Sequence, residues 1–358
     1  MQISRRSFLS TSLAATAASC LPRLVNAEPV QTPLGFDNFA IRAFGWKADQ
    51  LIDYAATLSI DTLFLSDMEC LPSLEDSALK DIKSHADAKG LKLYTGSWSI
   101  CPTSVRFKNT WGSAVDHLKT GIRVSKALGS PVFRVILGVL DDRKTPGGIR
   151  ARMADTLQVL QTCKKDALDA GIKIAIENHA GDMHSWELAE LVEQAGTDFV
   201  GVNIDSGNAA WTLEDPLDVL ERLGPYVICS SLRDDMIWQT PDGASVQWTA
   251  IGDGIVDWKQ FMERYRHFCH AVPFQIETIS GFAKNFPYKT EKFWEHYDKR
   301  PEALAHFEAL AAKGHFIEPF KVPAGADKKE AEQSHQKAEL ERSLAFCKNQ
   351  LGLGLRKA

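Results

Sequence analysis

Three carboxylates stand at the ends of short apolar segments. Glu177 closes Ile174-Ala175-Ile176-Glu177, Asp205 closes Val200-Gly201-Val202-Asn203-Ile204-Asp205, and Glu277 closes Phe274-Gln275-Ile276-Glu277. Each run is short and mostly apolar or β-branched, which is how a parallel strand buried on both faces reads. An ionised carboxylate at the end of such a strand needs a partner, a metal ion or a reaction. Side chains alternate across a strand, so Glu177 shares a face with Ala175, Asp205 with Asn203 and Glu277 with Gln275. If that face is inward, three carboxylates meet at one point. Like charges that close cannot all remain ionised without a cation. A divalent ion bound through oxygen is the simplest resolution: Mn²⁺, Mg²⁺, Co²⁺ or Zn²⁺. The plainer alternative is that each carboxylate caps the next helix or pairs with a nearby arginine.

The segments that position these groups alternate strand-like and helix-like. Strands are expected at Phe36–Arg42, Thr62–Asp67, Leu91–Gly96 and Val132–Leu137, then at the Glu177 and Asp205 segments, at Val227–Leu232 and at Phe274–Glu277. Helical spacing fills the intervals, around Lys47–Leu58, Leu74–Lys89, Ser113–Leu128, Ile149–Ala170, Trp186–Ala195 and Trp258–His267. Gly90, Gly129 and Gly171 stand where three of these helices stop. Eight strands with helices between them predict an α/β fold, a (β/α)₈ barrel. An open doubly wound sheet is the competing topology, but the glycine-rich phosphate fingerprint it would carry after the first strand is absent. In a barrel the functional residues lie at the C-terminal ends of the strands, which is where all three carboxylates fall.

Residues 28–285 are therefore assigned to the barrel, and 286–358 to a helical C-terminal extension packing on or near it. Within the extension, Asp327–Ser343 is rich in Lys, Glu and Gln and reads as a solvated helix. Residues 1–27 read as a cleaved export signal. Ser4-Arg5-Arg6-Ser7-Phe8-Leu9 resembles the twin-arginine motif, a small mildly apolar stretch follows, and Val25-Asn26-Ala27 suits a signal peptidase. Arg23 interrupts the stretch, which is too short for a stable membrane span. The expected location is periplasmic or extracellular. The net charge of -5 gives no reason to expect nucleic acid. Six of the seven cysteines follow Ala27 and none forms a C-x-x-C pair, so they read as buried small hydrophobes rather than a zinc ribbon.

Four features together carry a family resemblance over roughly residues 36–280. They are Glu177-Asn178-His179, Asp205-Ser206-Gly207-Asn208, the run Ile251-Gly252-Asp253-Gly254-Ile255-Val256-Asp257-Trp258, and Glu277. With them the chain resembles the xylose-isomerase-like TIM-barrel superfamily, of the sugar phosphate isomerase/epimerase type. The resemblance implies a metal held by Glu, Asp, His and Glu. Glu177, Asp205 and Glu277 match three of these. The histidine would open an H-x-K-D stretch, but here the stretch is Ser231-Leu232-Arg233-Asp234. Ser231 is a feeble ligand, so either water or a neighbour such as His179, Asp234 or Gln247 fills the fourth corner, or the metal is weakly held or absent.

The implied chemistry is proton transfer through an enediolate, with Glu177 and Glu277 moving the proton. His179 is a further candidate acid or base. Asn208 would orient a substrate hydroxyl or a metal-bound water, unless it is only a turn residue. Arg134 and Arg233 stand at strand ends, where they could meet anionic groups. Trp46, Trp98, Trp211, Trp238 and Trp248 lie near loop ends, and Trp98 in particular is placed to stack on a sugar face. The expected protein is an exported isomerase or epimerase of a small carbohydrate or sugar derivative, with no nucleic-acid partner and with a homo-oligomer left open. A lyase, dehydratase or hydrolase on an oxidised sugar or glycoside could use the same carboxylates. A non-catalytic sugar-binding barrel is the third reading. An endonuclease would need several histidine ligands and a basic face.

Overall fold

The computed structural model describes residues 31–356 apart from positions 270 and 299. The expected export signal lies outside the described residues. Among the described residues eleven strands run in chain order: β1 Leu34–Asp37, β2 Thr62–Leu65, β3 Lys92–Ser99, β4 Val132–Ile136, β5 Lys173–Glu177, β6 Val200–Ile204, β7 Val227–Ser230, β8 Asp234–Thr240, β9 Gly243–Thr249, β10 Phe274–Ile276 and β11 Ala283–Phe286. Eight of them form one parallel sheet in the order β10-β1-β2-β3-β4-β5-β6-β7. The sheet closes on itself between Leu232 and Ile276. There the Leu232 amide donates to the Gln275 carbonyl at 2.7 Å and the Glu277 amide to the Leu232 carbonyl at 2.9 Å. The result is a (β/α)₈ barrel.

Alternation along the strands sorts their side chains into two shells. Leu63, Leu65, Phe133, Val135, Ile174, Ile176 and Val202 face outward into the main core beneath the helices. Phe64, Tyr94, Val132, Ala175 and Cys229 make a separate buried cluster drawn from five different strands. These are the alternate positions, so they fill the barrel interior. Ala175 belongs to that inner set, and Glu177, two residues on, therefore points to the same axis. Local signals set the helices. Ser113 caps Ala114–Leu128 by accepting from the Asp116 amide while the Asp116 side chain returns to Ser113, and Gly129 ends the helix at φ 72.

Three elements differ from the sequence reading. The first strand ends at Asp37, and Asn38–Phe44 is a 3₁₀ helix, so Arg42 sits on a helical turn. The stretch between the seventh strand and the helix at Trp258, for which the sequence reading gives no element, carries a hairpin. β8 and β9 pair antiparallel around Thr240–Gly243, and β11 adds a third strand. This small sheet packs Ile237, Val246 and Phe286 against Phe307 and Ala311 of the helix Pro301–Ala311. The last helix, Lys328–Leu351, is solvated only over its first half. Leu340, Leu344 and Cys347 on its second half join the main core. Six free cysteines are found among the described residues, all of them buried. No helix there is long and apolar enough to cross a membrane.

Candidate active site

Glu177, Asp205 and Glu277 meet at the C-terminal mouth of the barrel, and a carboxylate oxygen from each lies within 4.8 Å of the others. All three are buried, with Glu177 and Asp205 wholly shielded from solvent. A buried acidic triad of this spacing could hold a metal ion. Its oxygens are already engaged by protein cations. Nη2 of Arg233 donates to both Asp205 and Glu277. Nε of Arg134 lies 2.6 Å from Glu177 Oε2.

Amides complete the cluster. Asn203 Nδ2 donates to Glu177 at 3.0 Å and to the Ser231 hydroxyl at 3.2 Å. Asn208 Nδ2 donates to Asp205 at 2.7 Å and to Glu177 at 3.3 Å. Asp205 Oδ1 caps the short helix Ser206–Ala209, accepting from the amides of Gly207 and Asn208. Capping and pairing with arginine thus both occur, and they occur at one converging centre. Ser231, at the expected histidine position, also lies 3.5 Å from Asp37 Oδ2. As placed, the residues satisfy a guanidinium and do not present an open set of ligands to a divalent ion.

Above the cluster lies a cavity of about 200 Å³ lined by Phe39, Trp98, Arg134, His179, Arg233 and Glu277 among others. His179 is fixed through Nδ1, 2.7 Å from the Gly138 carbonyl. A carbonyl only accepts, so Nδ1 carries the proton and Nε2 is the bare nitrogen. Burial pushes its pKa down to about 4, so the ring is neutral at neutral pH. It can accept a hydroxyl hydrogen bond there but holds a proton poorly. Burial raises Glu277, with Glu177 adding to the rise and Arg233 and Arg134 opposing it. A larger, more open hollow of about 680 Å³, between Trp186, Arg222, Arg300 and His306, contains none of the converging carboxylates. Glu277 of the converging carboxylates opens on the barrel-mouth cavity.

Of the expected site residues, Glu277, His179, Arg233 and Trp98 line the cavity. Glu177, Asp205 and Asn208 sit beneath it, and both Asn208 amide hydrogens point to carboxylates. Of the tryptophans, Trp248 joins Trp98 at the cavity and stacks on Trp211 at 4.7 Å. Trp46 packs against Phe44 and Tyr54, and Trp238 against Phe316. Asp234 is no ligand. It accepts from the amides of Gly252 and Val256 and, at 2.6 Å, from the Trp258 indole. That is what the Ile251–Trp258 run does: it wraps a buried aspartate and anchors the loop.

Sequence reasoning missed Asp37, which ends β1 on the inner face and accepts from the Ser66 hydroxyl and, at 2.8 Å, from the Phe39 amide. Burial, with Glu277 adding to it, raises the Asp37 carboxyl from 3.8 to about 8. The folded chain therefore keeps a proton there that the unfolded chain releases above its ordinary pKa. Stability from this group declines as pH rises between those two values. Asp37→Asn, neutral at every pH, should abolish that decline and exceed wild type at pH 8 by on the order of 1–3 kcal/mol. Urea unfolding across this range is the check. Parallel pH profiles for the two proteins would refute it.

The fold and this site place the chain among known proteins. A family model described as xylose isomerase-like TIM barrel matches residues 52–279, and the chain belongs to that family. An uncharacterized protein of Sinorhizobium fredii, y4fM, is 27% identical over 172 residues, 46% of this chain and 53% of that one. The chain thus spans about half the length of this curated relative. A D-psicose 3-epimerase crystallised with D-fructose superposes with a TM-score of 0.58 at 15% identity, over 89% of this chain and 99% of that one. The IolI protein with a bound zinc atom superposes with a TM-score of 0.55 at 14% identity, over 80% and 100%. At these identities the superpositions speak for the fold alone.

Proposed function

We propose that this protein is an exported isomerase or epimerase of a small carbohydrate or sugar derivative, acting by proton transfer through an enediolate. The observation that carries the reading is the convergence of Glu177, Asp205 and Glu277 under a small cavity that Glu277 and neutral His179 help to line. The D-psicose epimerase of the same fold supports the substrate class. In this reading Glu277 takes the proton from the carbon beside the substrate carbonyl and returns it to the carbonyl carbon while a hydroxyl proton crosses between the two oxygens, which gives the isomer; an epimer forms when the enediolate instead takes a solvent-derived proton on its other face. A carboxyl raised by burial suits that exchange near neutral pH. His179 Nε2 accepts from a substrate hydroxyl, and Trp98 offers a ring for the sugar's C–H face. Glu177, Asp205 and Asn208 hold the floor in place.

Charge developing on the carbonyl oxygen needs a cation or hydrogen-bond donors beside it. A divalent ion, Mn²⁺, Mg²⁺, Co²⁺ or Zn²⁺, would supply that charge if Arg233 left the triad. The guanidinium groups of Arg233 and Arg134, already on the cavity wall, supply it as the site stands. The test is incubation of the full chain with a panel of ketoses and aldoses in D₂O. An isomer carrying deuterium at the carbon next to the carbonyl is expected. Elimination products or glycoside cleavage, with no isomer, would transfer the site to the lyase or hydrolase reading.

Export rests on Arg5 and Arg6. Replacing both with Lys should strand the precursor in the cytoplasm, because the arginine pair is what the translocase reads. Cell fractionation checks this, and unchanged export of the double variant would remove the claim.

A further inference from the structure

We propose that Arg233 is the resident cation of this site, standing where a divalent ion would sit among the carboxylates, so that the chain works on its substrate without a bound metal. The proposal rests on the proton-transfer reading above only for the purpose of the site, not for its geometry. Four observations carry it.

The first is contact. A single guanidinium nitrogen bridges Asp205 and Glu277, two of the three carboxylates that converge. The second is the cradle. Gly207, which directly follows the short-helix residue Ser206, leaves room for the Arg233 stem; a Cβ there would press on Arg233 Cγ and lie 2.7 Å from Cδ. The guanidinium stacks over the Trp248 ring at 4.5 Å, and that ring is held by its indole N–H on the Gly207 carbonyl at 2.9 Å. Ser206 Oγ accepts from the Arg233 amide at 3.1 Å and donates to its carbonyl at 2.5 Å. The side chain is 2% exposed. This arginine is therefore locked from stem to tip in a space shaped for it, unlike a surface arginine that happens to reach in.

The third observation is the missing fourth ligand. Ser231 stands at the strand-seven position, and its hydroxyl is engaged by Asn203 and faces Asp37. The fourth is charge. Arg233 on Asp205 and Glu277, with Arg134 on Glu177, brings to the triad the two positive charges that a divalent ion would bring. An ion added beside them would meet like charge at contact distance.

The chemistry balances without an ion. The C–H proton passes to Glu277, the C–H electron pair forms the C=C bond, the carbonyl π pair moves to its oxygen, and the enediolate is held by guanidinium N–H donors at the cavity wall. Glu277 then returns the proton to the former carbonyl carbon while the neighbouring hydroxyl gives its proton to the former carbonyl oxygen, and the isomer leaves. Nothing is oxidised or reduced.

The experiment is a titration of the full chain, stripped with EDTA and dialysed, against Mn²⁺ and separately Zn²⁺, by calorimetry. Asp205→Asn is run in parallel to assign any binding to the triad. Wild type should show no binding that Asp205→Asn removes, up to millimolar ion. Arg233→Met should bind one ion per chain at least about 100-fold more tightly, since a like charge has left the site. Adding Ser231→His to it should tighten binding again. One ion per chain bound by wild type at micromolar concentration, and lost in Asp205→Asn, would overturn the proposal. So would a folded Arg233→Met that binds no better than wild type. If Arg233→Met does not fold, the wild-type titration decides alone. None of these readouts uses turnover, so a protein that isomerises no sugar would undo the functional reading and leave this result standing.

Discussion

Glu277→Gln should lower turnover by about 100-fold or more, the usual size for losing a positioned acid–base group. Glu277 is the only member of the acidic triad that lines the cavity while its partners lie below. It is therefore the carboxylate a bound sugar can reach. Gln keeps the side chain's size and can still accept from Arg233, so the fold should survive, which circular dichroism would verify. The loss should fall on kcat more than on KM, because the amide still occupies the same wall but cannot carry the proton. Wild type in D₂O should place deuterium beside the carbonyl and the variant should not. Added divalent ion should not restore the variant. Turnover within a fewfold of wild type, with label still entering, would assign the base to another group, and His179 is the next residue within the cavity.

Much of this site is legible from residue types. A short apolar run ending in a carboxylate is an unusual pattern, and it pointed to Glu177, Asp205 and Glu277 because burial of such a group demands compensation. Alternation then placed them on one face. Asp37 obeys the same rule but is hidden, because the apolar residues after it, Phe39, Ala40 and Ile41, extend the strand pattern to Arg42. A carboxylate in mid-strand does not announce a strand end. The β8–β9 hairpin carried its own signal, Pro241-Asp242-Gly243 between alternating segments. The barrel pattern, which alternates parallel strands with helices, leaves no place for an antiparallel pair and so hides it. In the last helix, the charged residues from Lys328 to Lys337 mask the apolar spacing of Leu340, Leu344 and Cys347. The role of Arg233 was beyond the sequence altogether. Its place near a strand end is legible, but its destination depends on Gly207, Trp248 and Glu277, which come from three separate parts of the chain. Only closure of the barrel brings them to one guanidinium.

Arg134→Met is expected to destabilise the protein by about 3–5 kcal/mol, because it strands a buried charge. Glu177 has no exposed surface, and Arg134, itself buried, holds it at 2.6 Å. The opposite end of the guanidinium donates to the Ser97 carbonyl at 3.0 Å, so the arginine also ties β4 to β3. Methionine preserves the unbranched stem beside Gly96 but brings no charge over the Phe64 ring and no donor. Glu177 would keep only the amides of Asn203 and Asn208, which are dipoles and cannot replace a full charge in a dry interior. Urea unfolding with midpoint and slope both measured would give the loss. The double variant Glu177→Gln/Arg134→Met should recover most of it, since a neutral amide needs no counter-ion, and this recovery separates the stranded charge from simple loss of packing. If Arg134→Met costs less than about 1 kcal/mol, the pair behaves like an exposed ion pair, and the charge of Glu177 is being balanced by something other than Arg134. If instead the loss is large but the double variant is no better, the arginine acts through Ser97 and the β3–β4 register.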